Sequence, residues 1–131
     1  EVGRAKIHAL QNAVNPRVLQ QLMENSIRGA STELNDNRIS MFVAQHGKCA
    51  ISKEPLILGN IVVHHIKPRR SGGGDNYENL ILVSPDVHQL IHATDDETVR
   101  KYLNKLNFCK LNMVRLNKLR ELAGNCKIVN R

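Results

Sequence analysis

The period of apolar and polar positions changes several times along the chain, and each change marks an element. From Val62 to Ile66 the residues are apolar and β-branched apart from His64 and His65, which reads as a short strand. Pro68 and the Arg69-Arg70-Ser71-Gly72-Gly73-Gly74 run end it and force a loop. Leu80 to Val83 is a second apolar run, expected to pair back on the first as an antiparallel ribbon with Asn79 at its start. Ser84-Pro85-Asp86 then has the form of a helix start: Ser caps, Pro takes the first helical position and Asp complements the positive helix end. On the helix that follows, His88 and His92 are four residues apart and share a face.

Helical spacing dominates on both sides of this unit. Ile7, Leu10, Val14, Val18, Leu22 and Ile27 recur at loosely helical intervals, interrupted at Asn15-Pro16, so Glu1 to Ala30 reads as two short helices around a turn. Asp36 is a candidate cap for a helix from about Asn37 to His46, with Ile39, Phe42 and Val43 inward and Gly47 as its stop. Thr94-Asp95-Asp96-Glu97 has the form of a capping box, opening a helix from about Asp95 to Leu106 with Val99, Leu103 and Leu106 inward. A last helix, from about Lys110 to Ala123, ends at Gly124 and has Leu111, Val114, Leu119 and Leu122 as its apolar face. The expected class is α+β.

The 131 residues suit one domain and carry a formal net charge of +7, which favours a polyanionic partner. Arg4, Lys6, Arg17 and Arg28 fit either a solvated helical surface or a DNA-contacting arm, and Lys110, Arg115, Lys118, Arg120 and Lys127 are open to the same two readings. His46 reads as a surface histidine at a helix C-terminus, where a cation suits the dipole. No apolar run approaches the ~18 residues of a membrane span, and no secretory signal pattern is present, so no membrane partner is expected. Glu1 is not an initiator Met, which reads as an excised piece. Cys49, Cys109 and Cys126 are odd in number and form no Cys-x-x-Cys pair, so reduced cytosolic thiols are expected rather than a disulfide framework. With two Phe, two Tyr and no Trp, extensive stacking on single-stranded bases is not expected.

The central unit carries the chemistry. Alternation along a strand sends His64 and His65 to opposite faces, so the two can do different jobs, one holding a metal and the other standing by as a base. Strand, loop, strand and helix bring His64, His88 and His92 within reach of one ion. A phosphodiester resists attack because it is negatively charged, so cutting it needs a cation on the phosphate and leaving oxygen and a base for water. A histidine near its ordinary pKa of ~6.5 can be that base at neutral pH, provided it stays off the metal. Lys67, Arg69 and Arg70 follow the strand directly and are placed to grip flanking phosphates, which predicts strongly salt-dependent binding.

This pattern resembles the HNH (ββα-metal, His-Me finger) nucleases, whose three signature positions fall on His65, Asn79 and His88. The resemblance implies that His65 is the general base, that His64, His88 and His92 hold the metal, and that Asn79 orients the base histidine by a hydrogen bond. It covers Val62 to His92 and implies an α+β, ββα-metal core with α-helices on both sides. The activity implied is metal-dependent DNA hydrolysis. Three imidazoles suit Zn²⁺, Ni²⁺ or Mn²⁺ better than Mg²⁺, whereas cellular abundance favours Mg²⁺. Mg²⁺ or Mn²⁺ is therefore expected for activity, with Zn²⁺ a tight binder in isolation. Many relatives carry paired cysteine knuckles for a structural zinc. Here the first would read Cys49-Ala50-Ile51-Ser52, so a four-cysteine site is excluded and Cys49 is expected to be a small buried hydrophobe.

Further segments narrow the likeness. Ser31 to Ser40, Val43 to Ile51, Tyr77-Glu78-Asn79-Leu80, His88-Gln89-Leu90-Ile91-His92 and Leu116-Asn117-Lys118-Leu119-Arg120 resemble the C-terminal region of bacterial group II intron-encoded reverse transcriptase/maturases. That family implies a larger parent protein of the bacterial cytoplasm, intron RNA as a second partner, and nicking of one DNA strand so that its 3′ end primes copying of the RNA. On this reading residues 31 to 131 are the endonuclease domain and residues 1 to 30 a helical flank belonging with a DNA-binding region. Three competing readings are a nucleic-acid-binding module with an inactive nuclease site, a free-standing restriction or homing enzyme of the same fold, and a zinc-finger-like adaptor in which a cysteine helps His64, His88 and His92 close the metal shell.

Overall fold

The computed structural model of the chain describes residues 14–129. The first of the two helices expected before Asn15, with Arg4 and Lys6, lies outside the described residues. In order, the elements are α1 (Pro16–Glu24), α2 (Thr32–Ala44), β1 (Val62–His65), two 3-10 turns (Arg69–Ser71 and Tyr77–Asn79), β2 (Leu80–Val83), α3 (Pro85–His92), α4 (Asp96–Lys105) and α5 (Met113–Leu122). This is the α+β arrangement expected: a ββα unit with helices on both sides. Among the described residues, no helix is long and apolar enough to cross a membrane.

The ribbon is antiparallel, with Val62 opposite Val83, His64 opposite Ile81 and His65 opposite Leu80. All four residues of β2 are buried, so the ribbon is covered on both faces at that strand. Ile81, Leu82 and Val83 join Val87, Leu90 and Ile91 of α3 in one core. Val18 and Leu22 of α1, Phe42 of α2, Val99 of α4 and Leu116 and Leu119 of α5 complete the same cluster. Cys49 is fully buried, as expected of a small hydrophobe, and its Sγ accepts a hydrogen bond from the Ser84 N–H that begins α3.

Local capping follows the residue types, with two displacements. Ser84 caps α3 with Pro85 in the first turn, as the sequence predicts. Helix α2, however, starts at Thr32 because the Ser31 hydroxyl accepts from the Leu34 N–H, so Asp36 lies inside the helix rather than capping it. Leu34, Arg38 and Phe42 face inward, whereas Val43, expected on the buried face, is 46% exposed. In α4 the cap is Asp95 rather than Thr94, its carboxylate accepting from both the N–H and the hydroxyl of Thr98.

The last helix departs most from expectation. Val114 is 84% exposed and Leu122 43% exposed, while Leu116, Leu119 and Arg120 face the core. Arg120, a candidate phosphate contact by charge alone, is 1% exposed. Its Nη1 donates to the carbonyls of Leu90 and Ala93, and its Nε to that of Cys126. Asn125 Nδ2 adds bonds to the carbonyls of Ile91 and Ala93. Together they satisfy the exposed carbonyls at the end of α3, where a cation also meets the negative helix end.

Replacing Arg120 by Met keeps volume but strands the buried Leu90 carbonyl and the part-buried Cys126 carbonyl, while Ala93 keeps Asn125. With a stranded acceptor worth roughly 1 kcal/mol or more, the loss should be about 2 kcal/mol. Arg120→Met is therefore expected to lower the melting temperature by several degrees or more, read by circular dichroism. A change within the scatter of a surface lysine variant such as Lys118→Met would return Arg120 to the surface reading.

Candidate metal and nucleic-acid site

Strand alternation separates the two adjacent imidazoles. His64 is 4% exposed and points to the α3 side, and His65 is half-buried on the other face. The His64 ring lies 5.8 Å from that of His88 and 5.4 Å from that of His92, and the two helix rings are 4.7 Å apart, centroid to centroid. One nitrogen from each of the three falls within 4.8 Å of the others. His64, His88 and His92 are thus brought together as the spacing predicts, and no cysteine belongs to the cluster.

Whether these residues fit a metal is answered by the His64 ring. Its Nε2 is buried with no hydrogen-bond partner among the described residues. A buried nitrogen left bare is costly unless something else occupies its lone pair. Burial, reinforced by the neighbouring His92, His88 and His65 rings, lowers the His64 pKa from 6.5 to about 4. Burial and His92 lower that of His88, and burial and the Arg70 guanidinium lower that of His92. All three rings are therefore held neutral at pH 7, the state that offers lone pairs to a cation. Three imidazole nitrogens suit a divalent first-row ion.

His65 has a separate set of partners. Its Nε2 meets Asp75 Oδ1 at 2.8 Å, and the same oxygen accepts from Arg69 Nη2 at 2.9 Å. Asp75 escaped the sequence reading. It follows the Gly-Gly-Gly run with no spacing signature, and a lone acid in a polar loop gives no local cue. The Ser31 hydroxyl first, then His65 and Arg69, hold its carboxyl down to about 2.

Asn79 takes partners other than the imidazole expected. Its Oδ1 accepts from the Lys67 N–H at 2.8 Å, and its Nδ2 donates to the carbonyls of Lys67 at 3.1 Å and Gly74 at 2.9 Å. It fastens the start of the loop to its end. Gly73 lies so close that a Cβ there would stand 1.7 Å from the Lys67 carbonyl oxygen and 2.9 Å from Asn79 Nδ2, so no other residue fits unless the loop opens. Asn79 thus bonds the backbone of Lys67, two residues beyond His65, and that of Gly74.

The three basic candidates are dispersed. Arg70 lines one concavity with His64, His65, His88 and His92, and its Nη2 also donates to the Ala123 carbonyl at 3.2 Å. Arg69 is turned towards Asp75 and His65, and Lys67 is exposed on the loop.

The lowered histidine pKa values carry a stability consequence for the metal-free protein. His64 binds a proton below about pH 6.5 when unfolded and below about pH 4 when folded. Stability is then fully present above pH 6.5 and falls as the pH drops towards 4, by up to about 1.4 kcal/mol per pH unit from this residue. Urea melts in EDTA should show this slope between pH 6.5 and 4, and His64→Phe should flatten it. An equal slope in that variant would assign the effect elsewhere.

A family model described as HNH endonuclease matches residues 48–94, the stretch that contains the knuckle at Cys49, the ribbon, the loop and α3. Searches of curated proteins and of solved structures return no match. The family match supports an HNH domain at these residues, and with it a nuclease whose substrate is nucleic acid and whose type is usually dependent on a divalent metal.

Proposed function

We propose that this chain is a metal-dependent DNA endonuclease that nicks one strand, with His65 as general base and His64, His88 and His92 as metal ligands. One observation carries the reading: the buried Nε2 of His64 has no hydrogen-bond partner among the described residues, its ring clusters with those of His88 and His92, and the next residue, His65, bonds Asp75 instead. Ligand and base are kept distinct by a single strand step.

A divalent cation held by the three imidazoles would supply charge stabilisation to the phosphate and to the departing oxygen. The remaining work falls to the chain. His65 takes a proton from water as the water oxygen bonds to phosphorus; the bond to the leaving oxygen breaks, and that oxygen takes a proton from solvent. Arg70, in the same concavity, pairs with the phosphate, and Lys67 and Arg69 lie along the loop for flanking phosphates. Asn79 holds the loop closed so that these groups keep their places. Mg²⁺ or Mn²⁺ serves activity in this reading, and Zn²⁺ binds the isolated chain.

The finer setting is a proposal on residue likeness. Ser31 to Ser40 and the segments up to Arg120 support placing the chain at the C-terminal end of a bacterial group II intron-encoded reverse transcriptase/maturase. In that setting it acts in the cytoplasm beside intron RNA, and its nick primes reverse transcription.

Supercoiled-plasmid nicking tests the enzyme. The wild type is expected to nick with Mg²⁺ or Mn²⁺ and not in EDTA. His65→Ala should lose about 10²-fold or more in rate while still binding metal, and His64→Ala should lose metal and activity together. Metal binding without cutting by the wild type under all ions would leave a nucleic-acid-binding module with an inactive site.

A further inference from the structure

Asp75 is tied down from four directions. Its Oδ1 meets His65 and Arg69, its Oδ2 accepts from the Ser31 hydroxyl at 2.6 Å, and its main-chain carbonyl accepts from Asn37 Nδ2 at 2.8 Å. Ser31 caps α2 and Asn37 lies within it, so both partners come from outside residues 48–94. Both carboxylate oxygens are committed, and the carboxylate has little freedom to turn away from the imidazole.

A neutral imidazole carries one proton, and the group that bonds one nitrogen decides where that proton sits. Opposite a carboxylate, Nε2 must be the protonated nitrogen, because a bare lone pair there would face negative charge. Arg69 Nε also directs its N–H at the same Nε2, at 3.3 Å, a contact that would need Nε2 to accept and is longer than the 2.8 Å to Asp75. The shorter, charge-assisted bond decides the tautomer.

We propose that Asp75, anchored by Ser31 at the cap of α2 and by Asn37 within it, is a positioning residue that fixes His65 as its Nε2–H tautomer and leaves Nδ1 as the proton-accepting nitrogen. Its catalytic meaning rests on the nuclease reading above. In that reaction the water proton passes to Nδ1, giving an imidazolium whose Nε2–H still donates to Asp75, and the carboxylate stabilises the new charge. Helix α2 is then part of the working site through Ser31.

The test has two readouts. Long-range ¹H–¹⁵N NMR of the full chain labelled at histidine nitrogens should show the Nε2–H pattern for His65 at pH 7.5. Asp75→Ala should give a tautomer mixture, Asp75→Asn should retain Nε2–H because the amide oxygen still accepts, and Ser31→Ala should fall between. In nicking assays Asp75→Ala should lower kcat about 10 to 100-fold with KM for DNA and metal affinity unchanged, and Asp75→Asn should recover part of that. An Nδ1–H pattern in the wild type, or one indifferent to Asp75→Ala, overturns the proposal. So does a loss in Asp75→Ala that appears wholly in KM or in metal affinity. If Asp75→Ala does not fold, the Ser31→Ala spectrum decides by the same criterion. If the wild type shows the Nε2–H pattern and the Asp75 dependence but never nicks, the positioning stands and the nuclease reading falls.

Discussion

The site depends on one geometric constraint: adjacent residues in a strand face opposite ways. With β1 paired to β2 over His64 and His65, one imidazole is driven into the space beside α3 and the other is kept out of it. A one-residue slip of register would exchange their faces. The ribbon has four pairs, too few to resist slipping alone, and its register is secured from both ends. At one end Asn79 and Gly73 close the loop on Lys67. At the other, the Cys49 knuckle bonds the Leu82 carbonyl through Ala50 N–H and the start of α3 through Ser84 N–H.

Helix α3 is held as firmly. Its N-terminus is capped by its own Ser84 and its C-terminal carbonyls are taken by Arg120 and Asn125, so His88 and His92 project from an eight-residue helix fixed at both ends. A short helix would otherwise fray. The same device recurs at α1, where the buried Arg38 guanidinium donates to the carbonyls of Leu22 and Asn25. Two of the chain's positive charges are therefore structural, and net charge overstates the surface offered to a polyanion.

What the sequence shows and what it conceals divide along the range of the interactions. The two strand segments, the start of α3 and the sharing of a face by His88 and His92 follow from neighbours within four residues, and each is found where the pattern puts it. Asp36 has the residue type of a cap but lies inside α2, which Ser31 caps and whose Leu34, Arg38 and Phe42 are buried in contacts distant along the chain. Arg120 looks like any surface arginine of a basic helix until α5 is docked on α3. Asp75 meets Ser31 across 44 residues, a contact with no period to betray it. The Asn79 side chain bonds main-chain groups of Lys67 and Gly74 rather than the imidazole, because a short amide spanning a tight loop finds those groups first.

The separation of ligand from base requires three imidazoles on one ion and His65, bonded to Asp75, off it. X-ray absorption of the chain loaded with one equivalent of Mn²⁺ or Zn²⁺ counts imidazole ligands directly. Three are expected, with an unchanged three in His65→Ala and no sulfur. Four imidazoles in the wild type falling to three in His65→Ala would place His65 on the metal and contradict the separation of ligand from base.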